Sequence, residues 1–120
     1  MSTPVIVVQP VPVTDAMLIS TTVAEADYPA WSAGTSYLVG ERVIYVATHR
    51  IYESLVASNT GNTPNTATAS WVDIGPTNTL AMFDDEVSTA TTATGSLTVV
   101  LSPGLINSMA LVNLSGTTVT

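Results

Sequence analysis

The sequence holds 120 residues with no cysteine, a formal net charge of −7 and only two strong bases, Arg42 and Arg50. That length fits one domain or two very small ones, the missing cysteines exclude disulfide frameworks and thiol nucleophiles, and two arginines cannot build a phosphate-neutralising surface, so nucleic acid is not an expected partner. Charged residues make up 9% of the chain against roughly 25% in ordinary soluble domains; Thr and Ser supply the polarity instead, and no apolar run approaches the roughly 20 residues of a membrane-spanning helix.

Residues 1–27 read as an extended N-terminal arm. Pro4, Pro10 and Pro12 fix φ and remove donors, which favours an extended path over a helix. Between them Val5, Ile6, Val7, Val8, Val11 and Val13 call for burial that so short a segment cannot provide for itself. The two readings are a frayed tail and an arm that docks on a neighbouring subunit; a hydrophobic, proline-spaced tail is poor linker material, which favours the arm. In Thr14 to Ala26, Thr14 or Asp15 caps a single turn, and the β-branched run from Ile19 to Val23 points to a connection with at most one short strand. The N-terminus carries no basic n-region of a secretory signal.

Residues 28–76 hold both tryptophans and all four tyrosines. Val43, Tyr45 and Ala47 alternate with Arg42, Ile44 and Val46, and Ile51, Glu53 and Leu55 alternate with Tyr52, Ser54 and Val56. Two such period-two runs predict a hairpin across the two-residue gap Thr48-His49, with His49 an exposed turn residue. Gly34 and Gly40 sit where turns are needed. Ser58 to Ser70 reads as a long polar loop leading to a closing strand at Trp71 to Ile74, and Gly75-Pro76-Thr77-Asn78 is a turn cluster and the candidate boundary.

Residues 77–120 read as part of a β-sandwich. Thr79 to Asp84 is a short buried strand or turn anchored on Phe83, Ser96 to Leu101 and Asn107 to Leu114 are strands, and another begins at Thr117. Three strands cannot close a sandwich, so a longer polypeptide or a neighbouring chain is expected to complete the sheet.

Catalysis finds little material. Asp84, Asp85 and Glu86 are consecutive, so their side chains diverge where acid–base chemistry needs two carboxylates facing across a cleft. They lack the fixed ligand spacing of a calcium loop, and no phosphate loop, nucleophile elbow or zinc-protease helix motif occurs. The expectation is a non-enzyme with no catalytic residue, metal or cofactor.

The pattern Ala30-Trp31, then Tyr37-x-x-Gly40-Glu41-x-Val43-x-Tyr45, then Tyr52-Glu53, Pro64 and Trp71 resembles the small chitin-binding carbohydrate modules attached to chitinases. The resemblance implies a three-stranded antiparallel sheet around an aromatic core. In that family a pair of aromatics follows the second strand; here Tyr52-Glu53-Ser54-Leu55-Val56-Ala57 offers no ring after Tyr52, so the sugar platform lacks its counterpart. Trp31, Tyr37 and Trp71 stay as candidate carbohydrate contacts beside the alternative that they are core. The continuation Gly75-Pro76-Thr77-Asn78 and Ala81-Met82-Phe83-Asp84 resembles virion proteins of tailed bacteriophages, in which a module of this kind precedes a jelly-roll-like domain.

The expected fold is therefore all-β: an extended arm (1–27), a carbohydrate-module-like domain (28–76) and the start of a jelly-roll-like sandwich (77–120). The resemblance implies a structural protein of a phage tail, baseplate or fibre attachment, made in the host cytoplasm and located in the virion. Its expected partners are other virion proteins and further copies of itself, with a cell-surface polysaccharide as the alternative and no membrane or nucleic acid.

Overall fold

The computed structural model describes residues 3–5, 9–86, 88–110 and 115–116. The fold is all-β: among the described residues there is no α-helix, and seven short strands form three small antiparallel sheets. The strands are β1 (Leu18–Thr21), β2 (Ser36–Tyr37), β3 (Arg42–Tyr45), β4 (Arg50–Ser54), β5 (Asn59–Thr60), β6 (Trp71–Pro76) and β7 (Val99–Leu101).

The largest sheet has the order β3-β4-β6. Alternation along β3 and β4 puts Val43, Tyr52 and Ser54 on one side, where with Trp71 of β6 they are buried. The other side is covered only in its middle. Ile44 is buried there, and residues 29–31 pair with its backbone along the edge of β3: the Trp31 amide donates to the Ile44 carbonyl at 2.8 Å, and the Ile44 amide to Pro29 at 2.9 Å. The core is Tyr37, Val43, Tyr52 and Trp71, flanked by Trp31, Tyr45 and Ala67. The rings meet edge to face, Tyr37 on Trp71 at 5.3 Å, Trp31 on Tyr45 at 5.7 Å and Tyr45 on Tyr52 at 6.4 Å, the arrangement their quadrupoles favour.

Several expectations change. The hairpin loop has four residues rather than two, because β3 ends at Tyr45. The Thr48 amide bonds the Tyr45 carbonyl, and His49 closes the loop at φ 50°, a left-handed conformation that β-branched neighbours would resist. The closing strand runs to Pro76, two residues beyond Ile74, with a bulge opposite Ile51 and Tyr52. The polar stretch 58–70 is an ordered element of the fold: β5 pairs with β2, Pro64 is buried, and turns closed on Thr63 and Ala67 deliver Trp71 to the core.

Outside the aromatic sheet, β1 and β7 form a two-stranded ribbon with Leu18 opposite Leu101 and Thr21 opposite Val99. The connection from Thr14 to Ala26 contains the one short strand that its β-branched run allows. Of the strands expected after residue 95, only Val99–Leu101 forms; residues 107–110 carry none, while 111–114 and 117–120 lie outside the described residues. Residues 79–84 are a 3-10 turn (Ala81–Phe83) rather than a strand. Phe83 is only half-buried, and the anchors are Thr77, Thr79, Leu80 and Ala81.

Because Trp71 is 2% exposed, Trp71→Ala is expected to cost about 3–5 kcal/mol. A urea titration followed by near-ultraviolet circular dichroism should place its midpoint far below that of the parent.

Candidate functional site: the aromatic face and the apolar ends

The three candidate carbohydrate contacts do not share one surface. Tyr37 is 7% exposed and Trp71 2%, so neither ring presents a face on which a pyranose could stack. Their polar handles point inward: the Trp71 indole N–H donates to the Asn62 carbonyl at 2.9 Å, and the Tyr37 hydroxyl accepts from the Ser32 amide at 2.8 Å. Trp31 is half-buried, and its indole nitrogen is buried without a protein partner. Of the three, only Trp31 keeps an accessible portion.

A polar lattice beneath the rings escaped the sequence reading. Asn59 is 1% exposed; its side-chain amide donates to the Ser54 hydroxyl and the Ser70 carbonyl, both at 3.0 Å, and its oxygen accepts from Asn62 at 2.7 Å. This one side chain ties β4, the stretch before β6 and the loop carrying the Trp71 acceptor. A Ser-Asn-Thr-Gly run reads as loop chemistry, and only the tertiary position makes it interior.

The outer side of the sheet bears Arg42, which pairs with Glu53 at 2.8 Å, donates to the Tyr28 hydroxyl at 3.2 Å and lies 5.8 Å from the centre of that ring. The Tyr28 and Glu53 hydrogen bonds hold its guanidinium above its ordinary pKa, so it is a fixed cation. The other arginine, Arg50, bonds Asp73 on β6 at 2.5 Å. Both strong bases are thus paired within the chain.

His49 is not the exposed turn residue the sequence suggests. It is half-buried, and its Nδ1 lies 2.5 Å from Glu25 Oε1. The same carboxylate oxygen accepts from the Thr77 hydroxyl at 2.5 Å, and the Thr77 amide donates to the His49 carbonyl at 2.9 Å. Asp84, in contrast, is spent on its own turn, accepting from the Glu86 amide and the Thr89 hydroxyl, both at 2.6 Å. Among the described residues no three His, Asp or Glu side chains gather as a metal site.

The ends of the chain place apolar side chains in water. In the arm, Val5 is 88% exposed and Val11 is exposed. Val13 is half-buried beside a cleft of about 220 Å³ lined with Pro12, Arg50, Pro76, Leu80 and Phe83, and Ile6, Val7 and Val8 lie outside the described residues. At the other end Ile19 and Val100 of the ribbon are exposed, as are Leu105, Ile106 and Met109.

Comparison with protein-family models, with curated proteins and with solved structures finds no match for this chain.

Asn59→Ala strands three polar partners in the interior and is expected to cost about 2–3 kcal/mol, whereas Arg50→Ala, at an exposed pair, should leave the midpoint nearly unchanged. Parallel urea titrations of the two variants check the contrast.

Proposed function

We propose that this chain is a structural component of a tailed bacteriophage virion, a tail, baseplate or fibre-attachment protein that docks on neighbouring subunits through its N-terminal arm and its β edges. The observation that carries the reading is the division of apolar residues. The aromatic sheet buries Tyr37, Tyr52 and Trp71 and leaves aliphatic side chains such as Leu38, Val39 and Val46 partly in water, but the most exposed apolar side chains among the described residues, Val5 (88%), Leu105 (104%) and Met109 (76%), stand in the segments before and after it. Exposed apolar surface of that kind belongs to association sites. A two-stranded ribbon is itself marginal in water and gains from an added strand. The particle assignment rests on the sequence resemblance to virion proteins. Copies of the chain assemble with one another and with other virion proteins, no cofactor takes part, and the role is not catalytic.

Deleting residues 1–13 is expected to abolish incorporation into particles while leaving the near-ultraviolet dichroism of the aromatic sheet intact. Particles carrying the truncated chain at normal copy number would remove the arm from the mechanism.

A second reading, recognition of a cell-surface polysaccharide, is supported by one feature: the accessible part of the half-buried Trp31 ring. Chitin pull-down and a glycan array separate the two. Strong retention lost in Trp31→Ala, with folding unchanged, would put sugar binding first; no retention in either protein is the expected result.

A further inference from the structure

The aromatic core and the contacts that fasten the rest of the chain to it are different in kind. The core cluster consists of rings and one valine. The fastening is built largely from hydroxyls, amides and two carboxylates, on a strap formed by residues 22–27. Thr79 donates to the Val23 carbonyl at 3.4 Å, the Asn78 amide to Asp27 at 3.0 Å, and the Asn78 side chain to the carbonyls of Ala24 and Thr92 at 3.2 and 2.8 Å. At its centre the Glu25 carboxylate, its side chain 14% exposed, takes both the His49 ring and the Thr77 hydroxyl. Thr77 and Thr79 are fully buried, with Val23, Leu80 and Ala81 as the small apolar floor.

We propose that Glu25 is the latch of a polar joint. Releasing its carboxylate frees the strap and the β1–β7 ribbon from the aromatic sheet while the sheet stays folded. Three features argue for separate opening. None of the joint's buried residues belongs to the aromatic cluster, so losing one set of contacts leaves the other whole. The joint depends on hydrogen bonds, whose net worth in water is modest compared with buried rings, which places it at the low-stability end of the molecule. And the Asn78 bonds to Asp27 and Ala24 lie at exposed positions, where water competes for them. The other carboxylate of the strap does not substitute for Glu25, since Asp27 is committed to the Asn78 amide. A joint of this design lets the ribbon and arm reorient as they meet a partner without melting the sheet, whatever that partner is.

Amide hydrogen exchange on the full chain tests the latch, comparing the parent with Glu25→Ala and Glu25→Gln. The Asn78 amide, bonded to the Asp27 carboxylate of the strap, reports on the joint; those of Ser54 and Leu55, bonded to Glu41 and Ser70, report on the sheet. Glu25→Ala is expected to speed exchange at Asn78 about tenfold or more, equivalent to ~1.4 kcal/mol, with Ser54 and Leu55 at parental rates. Glu25→Gln, whose amide oxygen still accepts from Thr77, should show a smaller change of the same pattern. Equal acceleration at all three amides, or none at Asn78, overturns the proposal. Should Glu25→Ala fail to fold, Glu25→Gln decides by the same criteria.

Discussion

Edge-to-face contact among five rings is the constraint on which this molecule rests. A sheet of three short strands has too little area to be stable through backbone pairing alone. Tyr37, Tyr52 and Trp71 make up the shortfall by closing one face around Val43, with Trp31 and Tyr45 extending the cluster toward the surface. Each ring pair adds about 0.5–1.5 kcal/mol beyond the area it buries. The geometry also dictates the loops. Trp71 can reach Tyr37 only if the stretch 58–70 folds down, and Asn59, Asn62 and Pro64 are buried or bonded in doing so.

The edges of the sheet show what the chain avoids. The outer side of β3 is paired at Ala30, and β6 is blunted by Asp73, by a bulge at Ile74 and Gly75, and by Pro76. Asp73 even accepts the Gly75 amide at 3.0 Å, satisfying backbone that a foreign strand would otherwise take. Charges, bulges and prolines are the usual defences of an edge. The ribbon is less defended: its pairing shifts register between Leu18 and Ser20, but neither Leu18–Thr21 nor Val99–Leu101 contains a charge or a proline. This asymmetry supports the proposal that association belongs to the ends of the chain and not to the aromatic sheet.

The aromatic sheet was legible in the sequence because its signal is local. Val43 and Tyr45 against Arg42, then Tyr52 and Ser54 against Glu53, alternate within runs of four or five residues and sit close together along the chain. What could not be read depends on distant partners. The β-branched run near Leu18–Thr21 allows a short strand, but nothing local names its partner, Val99–Leu101, some eighty residues later. His49 looks like any loop histidine until Glu25 is brought beside it, and Asn59 looks like loop polarity until Ser54 and Ser70 enclose it. Trp31, Tyr37 and Trp71 are attractive as sugar contacts in a linear motif because a sequence lists rings without saying which way they face. The all-β class follows from composition and period; the division between interior and accessible rings follows only from packing.

The central claim is that the rings build the interior, and emission from a single tryptophan tests it most directly. In the Trp31→Phe protein, Trp71 is the only emitter, and its fluorescence under native conditions should be blue-shifted and scarcely quenched by acrylamide, rising to the quenching of free indole only in denaturant. Native emission that is already red-shifted and readily quenched would place Trp71 at the surface and contradict the account.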